Sequence, residues 1–287
     1  MFAVAGVTGN TGSVVARELL ARGRAVRVIV RKPEQGEPWS ARGADIAVAS
    51  LEDSGALAAA LRGVEAAYLL LPPKYREPDV LRAQAATADS MAHAVGTSGV
   101  GRIVFLSSQG AERESGTGPV RALHYAEAQL TATGVPITML RAAYFIENWA
   151  PVLPVAREQG VLPTFFPADF RFPTQATADI GRIAADALLR PHTGVQLIEI
   201  EGPQPASPRD VAQAISVVLG RPVAPVEAPL EAVVPTFTGF GFSTDAASLF
   251  REMYEGIAAG RLVPLGPPAE RAVGTTSVGD ALAPLLA

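Results

Sequence analysis

The sequence predicts an α/β fold: a doubly wound parallel sheet carrying a smaller C-terminal lobe. Three observations support that expectation. Short β-branched apolar runs alternate with helical stretches through residues 1 to 145, and a glycine-spaced turn separates the first run from the first helix. After residue 150 the texture changes, because 17 of the 24 prolines fall there, and proline removes the donors that a regular central strand needs.

In chain order, strands are expected at FAVAGV, AVRVIVR, DIAVAS, AAYLLL, RIVFLSS and PITMLR. The first helix, SVVARELLARG, turns Val14, Val15, Leu19 and Leu20 inward and closes at Gly23, where a left-handed cap is wanted. Further helices read at GALAAALRG, VLRAQAATADSMAHAVGTSG and RALHYAEAQLTATG, the last two again stopped by glycine. In the proline-rich half, TADIGRIAADALL reads as a helix capped by Thr177 or Asp179, and VQLIEIEG as a strand joining the sheet's edge. The remainder, from VLPTFFPADFRFPTQ and from Pro203 onward, reads as loops and short helices. Phe165, Phe166, Phe170 and Phe172 either pin that segment to the core or line an apolar pocket for a flat substrate.

Composition narrows the function. At 287 residues and 48% apolar, the chain can fill a substantial core. A net charge of -4 with scattered arginines leaves no phosphate-neutralising surface for nucleic acid. The absence of cysteine excludes disulfides, thiolate zinc and a cysteine nucleophile. His93, His124 and His192 lie far apart in no metal-binding pattern, so no metal is expected. No apolar run approaches the ~20 residues of a membrane helix, and the glycine-broken N-terminus does not read as a signal peptide. The expectation is a cytoplasmic protein, monomer or homodimer, acting on a small molecule.

The turn GVTGNTG follows a strand and leads into a helix, and each glycine has a physical task. Gly6 permits the sharp turn, Gly9 lets the backbone approach a diphosphate, and Gly12 allows close helix-to-strand packing. With Thr8, Asn10 and Thr11, these residues form an expected dinucleotide site. The second strand ends about 20 residues on at Arg31 and Lys32, where an NAD-preferring site has an acid that accepts from the ribose 2′-hydroxyl. Two cations instead attract a 2′-phosphate, so NADP(H) is favoured, by about tenfold to a hundredfold for one charged hydrogen bond of ~1.5 to 3 kcal/mol.

The glycine turn, VIVRKP, YLLLPP, RIVFLSSQGA, EAQLTATGVPITMLRAAYFIENW and ADIGRIAADALL, in that order, resemble the NmrA-like family of atypical short-chain dehydrogenases/reductases over nearly the whole chain. They are also similar to NADPH-dependent quinone oxidoreductases and, more distantly, to isoflavone reductase-like enzymes. The resemblance implies a Rossmann domain (1–150, rejoined by 177–201), a smaller substrate lobe (151–176 and 202–287) and a nicotinamide between them. It further implies that Leu71, Pro72, Ser107, Ser108, Tyr144, Phe145 and Asn148 border cofactor and substrate. Some members of the family bind the dinucleotide as redox-sensing regulators, so a sensor without turnover stands beside the enzyme as an alternative.

Short-chain dehydrogenases usually place a tyrosine four residues before a lysine on one helix. Here HYAEAQL has Tyr125 followed by Gln129, and Lys32 and Lys74 are the only lysines. A phenol near its reference pKa is roughly 0.1% ionised at pH 7, which suits proton donation better than abstraction. Reduction of a quinone or enone fits best, because the added charge spreads over a conjugated system. Tyr125 is the expected donor and His124 its rival; adjacent helix positions point about 100° apart, so both cannot face one ring.

Overall fold

The computed structural model describes residues 1–266 and 270–287. The first strand, β1 (Phe2–Ala5), is buried at every position, as a strand covered on both faces must be. The glycine turn leads into α1 (Asn10–Ala21), and Gly23 closes that helix at a φ of +67°. The crossovers continue through β2 (Val26–Val30), the short α2 (Glu37–Ser40), β3 (Asp45–Val48), α3 (Ser54–Leu61), β4 (Ala66–Leu70), α4 (Val80–Ser98), β5 (Ile103–Ser108), α5 (Arg121–Ala132) and β6 (Ile137–Ala142). Asp53 and Asp79 cap α3 and α4 by accepting the amides of Ala56 and Arg82.

Beyond β6 come β7 (Tyr144–Phe145), α6 (Leu153–Gln159), β8 (Val161–Thr164) and β9 (Thr174–Gln175). The chain then returns to the sheet through α7 (Thr177–Leu189) and β10 (Val195–Glu201). It continues with α8 (Pro208–Leu219), β11 (Ala224–Glu227), α9 (Val233–Gly239), α10 (Thr244–Ala258), β12 (Glu270–Val273) and α11 (Val278–Leu286).

Among the described residues, eight strands form one sheet in the order β3-β2-β1-β4-β5-β6-β10-β12, and every pairing is parallel. Helices α3, α4 and α5 cover one face over Leu57, Met91, Phe105 and Leu130, while α1 and α7 cover the other over Val15, Leu19, Tyr68 and Ile180. This is the expected doubly wound Rossmann arrangement. Strand order reverses between β1 and β4, and the crevice beyond the carboxyl ends of those strands is where such a sheet binds ligands.

Three expectations are corrected. β12 joins the main sheet beside β10, although the sequence reading assigned all of 202–287 to the lobe; an edge strand needs only one neighbour, so a short run among prolines suffices. Helices α8 and α10 have 12 and 15 residues, longer than the short helices expected. Pro208 sits in the first turn of α8, where a missing N–H costs nothing, behind a capping box of Ser207 and Asp210. Neither Thr177 nor Asp179 caps α7: Glu147 accepts the amide and hydroxyl of Thr177, and Asp179 turns inward to Arg182 and Thr276.

Helix α10 fastens the C-terminal segment to the sheet domain. Asp245 Oδ2 accepts from the Val80 amide at 2.9 Å, and Glu252 Oε1 from the Gly116 amide at 2.7 Å. Seven residues are two helical turns, about 10 Å, so one face of α10 presents both carboxylates, one to the amino end of α4 and one to the loop ahead of α5. Gly118, at a φ of +60°, lies so close to α10 that an added Cβ would strike the Leu249 carbonyl oxygen. Gly118→Ala is therefore expected to destabilise the protein by about 1 to 3 kcal/mol, read as a lower urea midpoint; an unchanged midpoint would show that the loop can withdraw from α10 freely.

Candidate active site

The glycine turn occupies the crevice beside β1 and β4. Gly6 adopts a φ of +69°, and a Cβ there would lie 2.5 Å from Leu70 Cδ2. At Gly12 a Cβ would lie 2.5 Å from the carbonyl oxygens of both Ala5 and Gly6, so only glycine lets α1 press onto the end of β1. Gly9 donates its amide to the Gly6 carbonyl at 2.9 Å and stands at the N-cap of α1, where no side chain closes the helix end. Thr8, Gly9 and Asn10 are exposed. The amides of the first turn thus face the crevice without a side-chain cap, a fit for an anion. Thr11 is turned inward: its Oγ1 accepts from the buried Tyr68 hydroxyl at 2.9 Å, so its side chain is a strut.

Arg31 and Lys32 are both exposed at the end of β2, and their amides donate to Gln35 Oε1. Neither side chain joins an ion pair among the described residues, whereas nearby Arg27 meets Asp45 and Lys74 meets Glu52. Two charges left without protein partners beside an uncapped helix end are suited to a phosphate.

The remaining predicted site residues divide. Leu71 is buried in the core layer under α3 to α5, so its side chain is a packing element, and Pro72 is half-buried beside it. Ser107 is buried and donates to Glu127 Oε1 at 2.6 Å, which commits its hydroxyl to the interior. Ser108 is half-buried and donates to the Gln109 carbonyl. Tyr144 meets Phe172 and Phe166 edge to face, with centroids 5.4 and 6.3 Å apart. Burial, with Tyr254 alongside, pushes its phenol well above the usual range. Phe145 packs on the opposite side, against the α1–α7 layer, and Asn148 is exposed. Phe166 and Phe172 are core, whereas Phe165 and Phe170 are half-buried at its border.

The two donor candidates separate as the helix geometry requires. Tyr125 points outward, and its hydroxyl donates to Asp89 on α4 at 2.9 Å. That bond, with Asp89 accepting, raises its pKa. His124 faces the loop after β5, with Nδ1 2.8 Å from the Ala111 carbonyl oxygen.

Below His124 lies a charged cluster that the sequence reading missed. Ser107, Arg141 and Glu199 stand side by side on β5, β6 and β10. Arg141 forks onto Glu127, with Nε to Oε1 at 3.0 Å and Nη2 to Oε2 at 2.7 Å. Its Nη1 donates to Glu112 Oε2 at 3.1 Å and lies 4.0 Å from Glu199 Oε1. Glu199 is 2% exposed, and burial, with Glu112 also opposing ionisation, lifts its pKa to about 7 against the pull of Arg141. The available signal was parity: Arg141 and Glu199 fall on the strand positions that continue the inward stripe of Met139 and Leu197.

Known proteins share the family and the fold of this chain. The model of the NmrA-like family matches residues 1–259. An NAD(P)H azoreductase of Xenophilus azovorans is 29% identical over 255 residues, 88% of this chain and 86% of that protein. A (4-alkanoyl-5-oxo-2,5-dihydrofuran-3-yl)methyl phosphate reductase of Streptomyces griseus is 30% identical over 226 residues, 78% and 75% of the two chains. The solved structure of an NADPH-dependent quinone oxidoreductase of Escherichia coli, complexed with NADPH, superposes with a TM-score of 0.82 at 23% identity over 99% of both chains. That likeness establishes the shared fold.

Because the folded state holds a proton on Glu199 that the unfolded chain releases near its model value of 4.5, the stability tied to that proton is full below pH 4.5 and lost as pH rises through about 7. Glu199→Gln is expected to match the parent protein at pH 5 and to exceed it at pH 8.5 by about 1 to 3 kcal/mol, measured by urea denaturation. Parallel stability profiles for the two proteins would contradict a shifted carboxyl.

Proposed function

The chain belongs to the NmrA-like family, and on that premise we propose that it is an NADPH-dependent reductase of small conjugated carbonyl compounds, a quinone or an enone. The observation that carries this reading is the uncapped, glycine-lined end of α1 together with two exposed cations at the end of β2, Arg31 and Lys32, that pair with no acidic side chain among the described residues. The NAD(P)H azoreductase and the dihydrofuran phosphate reductase, both reductases by name, support the class. Residues 1–150 with 177–201 would hold the dinucleotide, and the segments after them, β12 excepted, the acceptor.

When bound, a nicotinamide would supply the hydride. The amides of Asn10, Thr11 and Gly12 would hold its diphosphate, and Arg31 with Lys32 would hold the 2′-phosphate. The aromatic border of Phe165, Phe170 and Tyr144 offers a flat apolar wall to the acceptor. A quinone that takes one hydride needs one proton to become a hydroquinone. A carbonyl oxygen only accepts, so the Ala111 contact fixes hydrogen on His124 Nδ1 and leaves Nε2 as the nitrogen that gains and gives the proton. Tyr125, committed to Asp89, takes no part.

Arg31→Ala is expected to weaken NADPH binding about 10- to 100-fold while leaving NADH affinity nearly unchanged, as measured by calorimetry; equal losses for both would refute a phosphate contact. NADPH absorbance followed with quinones and enones tests the chemistry. His124→Gln should lower kcat by about 100-fold or more, and Tyr125→Phe should leave it unchanged. Tight NADPH binding with no turnover on any acceptor would instead identify a dinucleotide sensor.

A further inference from the structure

The cluster around Arg141 is costly for a purely structural device. Three carboxylates, Glu112, Glu127 and Glu199, surround one guanidinium, and Glu112 Oε1 and Glu199 Oε2 are buried without a hydrogen-bond partner. An apolar side chain at position 141 would continue the Met139 stripe without desolvating an ion, and replacing buried ion pairs in this way is often neutral or stabilising. What an apolar side chain lacks is direction.

The directions are specific. The fork of Arg141 grips Glu127, three residues along α5 from His124 and on the same helix face. Its Nη1 grips Glu112, the residue after Ala111. The guanidinium is thus bonded to α5 and to the loop after β5, the two elements that the His124–Ala111 hydrogen bond joins. Arginine's planar fork fixes both distance and angle, which a lysine ammonium does not. On this geometry we propose that Arg141 is a positioning residue for His124: it sets the spacing of α5 from the loop so that Nδ1 stays on the Ala111 carbonyl and Nε2 faces the crevice. The proposal rests on reading His124 as the proton donor.

The test uses the full-length protein labelled with ¹⁵N at its three histidines, His93, His124 and His192. An imidazole Nδ1–H held by a buried carbonyl exchanges slowly with water, so His124 should give a protected side-chain proton signal that His124→Gln removes and thereby assigns. In Arg141→Lys that protection should fall and kcat should drop about 10- to 100-fold, with the NADPH dissociation constant and the signals of His93 and His192 unchanged. Glu112→Gln, which leaves the Glu127 fork intact, should cause the same change to a smaller degree and decides the matter if Arg141→Lys does not fold. Folded variants that keep both the protected signal and kcat would overturn the proposal. The proton readout needs no turnover, so it stands even if His124→Gln retains full activity, a result that would refute the donor reading alone.

Discussion

Everything in this molecule depends on how closely α1 can approach the end of β1. A methyl group at position 12 would lie 2.5 Å from two backbone carbonyl oxygens, a distance no side chain tolerates. With glycine there, the helix end comes down onto the strand, its first amides open into the crevice between β1 and β4, and Gly6 clears Leu70. The open helix end is a consequence of backbone packing, and the Thr11 hydroxyl is held by Tyr68 in support of that packing.

A second constraint fixes helix α10. The carboxylates of Asp245 and Glu252 meet the amino end of α4 and the Gly116 amide, so α10 is registered against the sheet domain by charge at both ends of a two-turn span. Aromatic side chains join the two parts beside those contacts: Tyr75 of the sheet domain stacks on Phe242 of the lobe at 4.9 Å, and Phe237 stacks on Phe250 at 4.7 Å. The loop after β5 runs between the two parts, carrying Ala111 to His124, Glu112 to Arg141 and Gly116 to Glu252.

Much of this was legible in the chain itself. Strands covered on both faces must be apolar throughout, so their runs announced themselves, and the glycine spacing announced the turn. The charged cluster escaped notice because Arg141 and Glu199 sit near strand ends, where charge ordinarily meets water, and their parity with Met139 and Leu197 does not by itself reveal that a loop and α5 cover them. β12 escaped because ERAV is too short and too polar to stand out, and an edge place in the sheet asks for no more.

The sequence by itself determined the doubly wound sheet, the glycine-lined helix end and the absence of a tyrosine-lysine pair, because period, φ > 0 and residue type are local properties. Only the tertiary structure shows what His124 and Tyr125 each meet, the Ala111 carbonyl for one and Asp89 for the other. Neighbours on a helix diverge by about 100°, and what lies in each direction depends on where the loop after β5 and helix α4 come to rest, a matter of contacts made far along the chain.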